Sequence, residues 1–436
     1  MSKALRARKE RVLLVGLART QADVPEAETS LAELSALADT AGAEDVGRVI
    51  QVRPKPDPAT YVGKGKAREI VEQARALEAD AIIFDDELAP AQGRNLEDLA
   101  GVNPLAEDAM KIIDRTGLIL DVFSQHARSA EGKLQVELAQ INYMTPRLRG
   151  WGDVMSRIGG STGGGLGTRG PGETKLEVDR RRIQRRLSKL RLELKDVERT
   201  RKVKRHQRLK AGVAQICLVG YTNAGKSTLL NALTHAEVLV EDKLFSTLDP
   251  TARRLILDNK DNKREAVLID TVGLVRKLPH QLVEAFRSTL EETVLADLLL
   301  QVVDASEPDL QAHAEAVDRV LVEIGADNIP RVVALNKTDL LDEDERHRVQ
   351  GVFPDGVFIA AGTGEGLVSL LAKVADQLRL ARTVVAFDVP FDRGDIRSRL
   401  HAEAEVIEES HGEEGTHLVV RGSPTLVTRY RDYLAS

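Results

Sequence analysis

Residues 215–233 read QICLVGYTNAGKSTLLNAL, and this stretch decides the fold of the chain. An apolar run from Gln215 to Val219 leads directly into the pattern G-x-x-x-x-G-K-[ST] at Gly220 to Ser227, followed by a helix-like segment. A strand, a glycine-rich loop and a helix in this order form a phosphate-binding loop. Glycines let backbone N–H groups wrap the phosphates, the lysine reaches the β- and γ-phosphates, and the hydroxyl after it ligates Mg²⁺. The sequence therefore predicts a P-loop nucleotide-binding domain.

Two further motifs follow the phosphate-binding loop along the chain. The apolar run 267–269 ends in Asp270-Thr-Val-Gly273, where Asp270 is predicted to hold Mg²⁺ through water and the Gly273 N–H to sense the γ-phosphate. Residues 336–339 read NKTD, which resembles the guanine-recognition motif of GTPases. The Asp339 carboxylate would accept hydrogen bonds from guanine N1 and N2, a donor pair that adenine lacks. These motifs predict GTP and GDP as ligands in preference to ATP.

The predicted site combines these loops with the segment LFSTLDPT, residues 244–251. We expect Lys226, Thr247 and Gly273 to be catalytic, and Ser227, Thr247 and, through water, Asp270 to bind Mg²⁺. Thr251 is the alternative to Thr247 as the switch threonine. The residues expected to contact the nucleotide are Gly220, Tyr221, Thr222, Asn223, Ala224, Gly225, Lys226, Ser227, Thr228, Asp270, Thr271, Val272, Gly273, Asn336, Lys337, Asp339, Ala360 and Ala361.

Three positions depart from, or add to, the usual GTPase pattern. Ala360 stands where a serine is usual in the base-supporting loop, but the base is expected to meet the backbone N–H of Ala361, so little should be lost. Leu274 stands where many signalling GTPases carry the glutamine that orients the attacking water. Intrinsic hydrolysis is therefore predicted to be slow unless the water is positioned by other means. Asn223 resembles the potassium-binding asparagine of cation-dependent GTPases, which makes K⁺ a candidate cofactor.

The remainder of the chain predicts an α/β protein of four parts. Before the nucleotide site, β-branched runs at 12–17, 48–52, 81–84 and 110–114 alternate with helical patterns, which predicts a parallel sheet covered by helices. After it, residues 383–436 read as β-α-β-β-α. The predicted domains are an N-terminal α/β domain at 1–128, a helical hairpin at 129–211, a P-loop GTPase domain with a mostly parallel sheet at 212–382, and a small C-terminal α+β domain at 383–436.

The hairpin prediction depends on two apolar seams with coiled-coil spacing. In each seam, successive residues are spaced alternately by four and three positions. The first seam consists of Leu134, Leu138, Ile141, Thr145 and Leu148, and the second of Ile183, Leu187, Leu190, Leu194 and Val197. The glycine-rich stretch 159–175 between them cannot hold a regular element and would form the tip. As an alternative to a mere linker, a tip carried on two helices suits insertion into a partner.

The second arm of the hairpin carries segregated positive charge. Residues 173–210 hold 16 lysines and arginines against 6 acidic residues, in a chain whose total net charge is −6. Such a one-signed excess favours a polyanionic partner over an ordinary solvated helix face. The arm contains no aromatic residue for stacking on bases, so structured RNA contacted through its backbone fits best.

Composition excludes several other classes of protein. The 436 residues are 42% hydrophobic and 30% charged, typical of a folded globular chain and not of a disordered one. Cys217 is the single cysteine, which excludes an intramolecular disulfide or a thiolate zinc cluster and favours a reducing compartment. The apolar stretches are too short for a membrane span. We expect a cytoplasmic monomer that can associate peripherally with a membrane.

The motifs together resemble the HflX family of GTPases. The resemblance covers about residues 10–380 and includes two stretches specific to that family, DRTGLILDVFSQHARSAEGKLQVELAQ from Asp114 and GGGLGTRGPGETKLEVDRRRI from Gly163. It implies a translation-associated GTPase that binds the large ribosomal subunit and its rRNA and splits or rescues stalled or idle ribosomes, with the glycine-rich tip reaching toward the peptidyl-transferase centre. The residues expected to contact the ribosome are Gly163, Gly164, Gly165, Arg169, Arg180, Arg181, Arg182 and Arg185.

Two other functions remain open from the sequence. A ribosome-assembly or RNA-chaperone GTPase would bind immature large subunits and use GTP only to gate binding. A tRNA-modifying GTPase is disfavoured because no cysteine follows the GTPase motifs.

Overall fold

The computed structural model describes most of the chain. It leaves out residues 1–8, 102–109, 148–174, 211–212, 235–243, 246–250, 260–261, 272, 278–286, 381–382, 413–414, 423 and 436. The chain forms two compact units. The first contains Met1–Val197 together with Asp242–Leu248 and Arg276–Phe286, and the second contains the rest.

The first unit is built on a four-stranded parallel sheet. Its strands are β1 Glu10–Ala18, β2 Ala43–Val52, β3 Ala81–Phe84 and β4 Lys111–Asp114, in the order β2-β1-β3-β4. The helices of this domain are α1 Val24–Ala41, α2 Lys64–Ala76, α3 Pro90–Ala100 and α4 Arg115–His126. The strand β3 is buried along its whole length, as expected of a parallel strand with helices on both faces. The predicted parallel α/β sheet is confirmed.

Two long helices follow in the same unit. They are α5 Ala130–Met144 and α6 Lys175–Lys210, and α6 continues past Val197 into the second unit. Ile141 of α5 is buried in one cluster with Ile183, Leu187 and Leu190 of α6. The guanidinium of Arg186 donates two hydrogen bonds of 2.6 and 2.5 Å to the Glu137 carboxylate across this seam. The described residues of the two predicted seams therefore pack together from Leu134 to Ile141 and from Ile183 to Leu190. Leu148 and residues 159–174 of the predicted tip lie outside the described part of the chain.

The second unit contains a six-stranded sheet with one antiparallel edge. The strands are β5 Ala214–Gly220, β6 Thr251–Asn259, β7 Asn262–Asp270, β8 Leu298–Asp304, β9 Arg331–Asn336 and β10 Val357–Phe358, in the order β10-β9-β8-β5-β7-β6. Only β6 runs antiparallel to its neighbour, β7. The helices are α7 Lys226–Thr234, α8 Arg287–Val294, α9 Leu310–Ile324, α10 Glu343–Val352 and α11 Leu367–Leu380. This is the mostly parallel GTPase sheet that was predicted, and the phosphate-binding loop leaves its central strand, β5.

A small α+β element ends the described chain. The strands β11 Thr383–Pro390, β12 Glu405–His411 and β13 Gly415–Gly422 form an antiparallel sheet in the order β11-β13-β12, with helices α12 Gly394–Glu403 and α13 Pro424–Arg429. Phe387, Leu400, Leu418 and Tyr430 form its own apolar cluster. The predicted β-α-β-β-α order is confirmed. The four-domain division, with boundaries after residues 128, 211 and 382, stays a prediction.

No helix in the described part of the chain is long and apolar enough to cross a membrane.

Candidate nucleotide-binding site

The loop between β5 and α7 adopts a backbone that only certain residues allow. Gly220, Asn223 and Gly225 have φ angles of 155°, 60° and 91°. A Cβ atom on Gly220 would lie 2.3 Å from the Val302 carbonyl oxygen, and one on Gly225 would lie 2.2 Å from Nδ2 of Asn336. Both glycines of the motif are therefore required by close contacts as well as by backbone conformation.

Lys226 begins α7 and folds back over the loop. Its side chain is buried, and Nζ donates hydrogen bonds to the carbonyl oxygens of Gly220 at 3.1 Å and Tyr221 at 2.7 Å. Burial lowers the pKa of Lys226 to about 8, and the nearby Asp270 carboxylate only partly opposes this effect. A phosphate group close to Nζ would stabilise the charged amine and raise this pKa again.

Ser227 and Asp270 form an oxygen pair beside the loop. The Ser227 hydroxyl donates a 2.8 Å hydrogen bond to Oδ2 of Asp270, which is buried at the end of β7. A hydroxyl and a carboxylate are oxygen ligands of the kind that Mg²⁺ prefers. These residues therefore fit the magnesium site predicted from the motifs.

The segment after Asp270 is tied to the phosphate-binding loop. Leu274 accepts a 2.8 Å hydrogen bond from the Thr222 N–H and donates one of 3.2 Å to the Gly220 carbonyl. A Cβ atom on Gly273 would lie 2.9 Å from Cα of Thr222 and 3.2 Å from Nζ of Lys226, so a glycine is needed at this position. Leu274 itself is buried. An apolar side chain with no donor or acceptor cannot orient water, as expected from the sequence.

The asparagine of the NKTD motif links the phosphate end of the site to the base end. Asn336 is buried; its Nδ2 donates to the Ala224 carbonyl at 2.8 Å, and its Oδ1 accepts from the Ala361 N–H at 3.0 Å. Since the Ala361 N–H donates to Asn336, its predicted contact with guanine stays a prediction. Lys337 has a φ of 63° and pairs with Asp304 at 2.6 Å, while Asp339 is exposed, and its predicted contact with guanine stays a prediction.

Other predicted contact residues occupy different environments. Thr271 is buried, and its hydroxyl donates a 2.6 Å hydrogen bond to the Leu218 carbonyl of β5. This side chain therefore binds the backbone of the sheet. Ala360 is fully buried and Thr228 is half-buried on α7. Thr251 is the first residue of β6 and lies opposite Asp270 in the ladder.

Several predicted residues lie outside the described part of the chain: Thr247, Val272, Gly163, Gly164, Gly165 and Arg169. Arg180 belongs to α6, and Arg181, Arg182 and Arg185 are exposed on the same helix.

One contact at the site was not predicted from the sequence. The Tyr221 ring lies flat on the imidazole of His313 in α9, with 3.9 Å between the ring centroids and an interplanar angle of 4°. The two residues are 92 positions apart, and the sequence around His313 contains no motif that predicts this contact. The stack joins the phosphate-binding loop to α9.

Comparison with known families covers most of the chain. The model described as GTP-binding GTPase N-terminal matches residues 28–124, GTP-binding GTPase Middle Region matches 126–208, and 50S ribosome-binding GTPase matches 215–337. The chain is 45% identical over 432 residues to GTPase HflX of Caldanaerobacter subterraneus subsp. tengcongensis, an alignment that covers 98% of this chain and 94% of that protein. The chain belongs to the HflX family of GTPases.

Further HflX relatives agree with this assignment. The HflX GTPase of Escherichia coli is 43% identical over 389 residues, which cover 88% of each chain. A solved GTP-binding protein from Sulfolobus solfataricus in complex with GDP aligns with 85% of this chain and 98% of its own, at 24% identity and a TM-score of 0.40, a level that supports no statement about this chain. As a member of the HflX family, the protein is a GTP-binding enzyme that hydrolyses GTP. The resemblance derived from the motifs is confirmed.

Proposed function

We propose that the protein is a GTP-driven switch that binds the large ribosomal subunit and splits stalled or idle ribosomes. The observation that carries this proposal is the basic outer face of α6. Ile183, Leu187 and Leu190 are buried in the helix seam, whereas Arg181 and Arg182, just before Ile183, and Arg185, between Ile183 and Leu187, are exposed. A rigid helix with exposed guanidinium groups suits contact with RNA phosphates. The family that matches residues 215–337 is described as 50S ribosome-binding GTPase, which supports the same partner.

The chemistry at the nucleotide site follows from the residues described above. We assign Lys226 to the β- and γ-phosphates, the Gly273 N–H to the γ-phosphate and Asp339 to the guanine edge. Ser227 and Asp270, with Thr247 or Thr251, would hold Mg²⁺, which supplies positive charge against the phosphates when bound. Hydrolysis transfers the γ-phosphoryl group to water and leaves GDP. Loss of that group removes the contact with Gly273 and favours release from the ribosome.

Potassium is the proposed means of offsetting the leucine at position 274. Asn223 is exposed at the tip of the phosphate-binding loop, with its backbone in the left-handed region. Its amide oxygen suits K⁺, whose charge would act where an arginine finger acts in other GTPases. We expect GTP hydrolysis to be at least about tenfold faster in K⁺ than in Na⁺ at matched ionic strength. Equal rates in the two salts would contradict this assignment.

Binding to the ribosome can be tested on the arm directly. The triple variant Arg181→Glu, Arg182→Glu and Arg185→Glu should lose about tenfold or more in affinity for large subunits, measured by co-sedimentation with a non-hydrolysable GTP analogue. The control variant Arg19→Glu, Lys64→Glu and Arg68→Glu makes the same charge change at three exposed positions of the N-terminal domain. Equal binding by the two variants would show that α6 is not the contact surface.

A second variant tests the predicted tip. Deletion of residues 159–175 should leave subunit binding through α6 in place but abolish the splitting of whole ribosomes in a sucrose gradient. A ribosome-assembly factor, the alternative function, would bind immature large subunits more tightly than mature ones and would leave whole ribosomes intact.

A further inference from the structure

The N-terminal sheet has an edge where α/β domains usually bind ligands. In the order β2-β1-β3-β4 the chain moves first to one side of β1 and then to the other, so the topological switch point lies between β1 and β3. Ligands of open parallel sheets bind at the carboxyl ends of the strands at such a point. Asp85 and Asp86 follow β3 directly at this edge. The site is acidic and therefore suited to a cation.

The cation at this edge is a side chain of the protein itself. Nζ of Lys277 lies 2.6 Å from Oδ2 of Asp85 and 2.6 Å from Oδ1 of Asp86. Burial lowers the pKa of Lys277, but the two carboxylates outweigh it and the net shift is upward. Burial raises the pKa of Asp86, but the charge of Lys277 outweighs it and the net shift is downward. The pair therefore stays ionised at neutral pH.

The carboxylates that receive Lys277 are held rigidly. Asp85 is almost fully buried and also accepts 2.7 Å hydrogen bonds from Ser30 and from Arg115, and Arg115 pairs in turn with Glu33. Asp86 accepts a hydrogen bond from the Tyr61 hydroxyl. Asp85 is buried with hydrogen bonds from Ser30, Arg115 and Lys277, so it keeps its position. The two carboxylates of Asp85 and Asp86, called here the acidic crevice, therefore form a preformed receptor for an ammonium group.

Lys277 is four residues after Gly273, the proposed sensor of the γ-phosphate. Four residues span at most about 14 Å, so anchoring Lys277 limits where Gly273 can lie. Leu274 is fixed from the other side by its hydrogen bonds to residues 220 and 222. In this anchored arrangement Gly273 lies beside Nζ of Lys226, the group assigned to the β- and γ-phosphates. The two groups proposed to contact the γ-phosphate are therefore neighbours while Lys277 is anchored.

A second segment from the nucleotide site belongs to the same compact unit. Phe245, two residues before the candidate switch residue Thr247, is buried with its ring edge-on to Phe123 of α4 at 4.6 Å between centroids. Phe245 and Lys277, each near a residue proposed to respond to the γ-phosphate, thus both contact side chains of the N-terminal domain.

We propose that the acidic crevice formed by Asp85 and Asp86 is an intramolecular receptor for Lys277 that favours the GTP-bound over the GDP-bound conformation. This inference rests on the roles proposed above for Lys226 and Gly273. Docking of Lys277 holds Gly273 where a γ-phosphate can use its N–H. GDP lacks that phosphate and gains nothing from the docking. By thermodynamic linkage, GTP in turn strengthens the contact between Lys277 and the crevice.

The test measures binding of GDP and of a non-hydrolysable GTP analogue to Lys277→Met. We expect the affinity for the analogue to fall about fivefold while that for GDP stays within about twofold, and Lys277→Arg to restore the analogue affinity. Asp86→Asn removes the partner charge of Lys277 and should likewise lower the affinity for the analogue but not that for GDP. The control Lys66→Met removes a 2.6 Å ion pair with Glu69 in the same domain and should change neither affinity.

A chemical readout is independent of affinity. Acylation of Lys277 by an amine-reactive reagent, followed by mass spectrometry with Lys9 as an exposed reference, should be several-fold slower with the GTP analogue than with GDP. Equal labelling with both nucleotides, or equal changes in both affinities, would overturn the inference. Loss of all nucleotide binding in the unmodified protein would instead contradict the proposed nucleotide site.

Discussion

At the scale of single residues, the site depends on a few side chains with two functions each. Asn336 joins the phosphate-binding loop to the base loop, and Lys226 covers the loop with an amine whose charge is costly to bury. The P-loop and NKTD motifs identify these residues from sequence because each motif is contiguous. Contacts between residues that are distant in the sequence could not be predicted in this way. Lys277 and Asp85, for example, are separated by 192 positions, and only the folded chain brings them together.

Nucleotide affinity should depend on pH through Lys226. Because its pKa is about 8 in the protein and a phosphate would raise it, binding takes up a proton above that pH and not below it. We expect the affinity for GDP to change little between pH 7 and pH 8, where the terminal phosphate and Lys226 keep their charges, and to fall as the pH rises toward 10. Calorimetry at pH 8.5 in two buffers of different ionisation enthalpy should detect proton uptake, which should be nearly absent at pH 6.5. A constant affinity up to pH 9.5 would contradict the assignment.

Asn336 should matter for stability as well as for guanine recognition. In Asn336→Ala the buried Ala224 carbonyl and Ala361 N–H lose their partner, which costs about 2–4 kcal/mol. The loss is measurable as faster amide hydrogen exchange in β5 and β9 without nucleotide. Asn328→Ala, at an exposed position, should change the free energy of opening measured by hydrogen exchange by no more than about 0.5 kcal/mol. Similar exchange in the two variants would show that Asn336 is not a structural link.

At the scale of helices and strands, the sequence predicts the central parts of elements better than their ends. The run 81–84 matches β3 in full because a buried parallel strand is apolar throughout. Strand β2 was predicted from residue 48 but begins at Ala43, because the polar residues Glu44 and Asp45 pair with β1 through their backbones. This is an edge strand, where polar side chains can face water. A pattern of side chains does not report such backbone pairing.

The hairpin seam offers a matched pair of variants on one helix. Leu190 is fully buried in the α5–α6 cluster, whereas Leu192 is 65% exposed. Leu190→Ala should destabilise the packing of α5 on α6 by about 2–5 kcal/mol, because it leaves a cavity in the seam. Leu192→Ala should have almost no effect. Hydrogen exchange across residues 130–144 and 181–194 measures both, and equal exchange would show that the helices do not depend on this seam.

At the scale of the whole molecule, the chain carries both a GTPase site and a basic helix suited to RNA. The motifs in residues 215–339 predict the hydrolytic site, and the charge segregation on α6 predicts the kind of partner. The HflX family assignment establishes GTP binding and hydrolysis, while ribosome splitting is the proposed use of that chemistry. In our proposal, the N-terminal domain supplies Asp85 and Asp86, whose contact with Lys277 is stronger in the GTP-bound than in the GDP-bound protein.

The most direct test of the central claim is light scattering by purified whole ribosomes mixed with the protein and either a non-hydrolysable GTP analogue or GDP. The account predicts that scattering falls to the level of separate subunits with the analogue and stays unchanged with GDP. Unchanged scattering with the analogue, or the same fall with both nucleotides, would contradict a GTP-driven splitting factor.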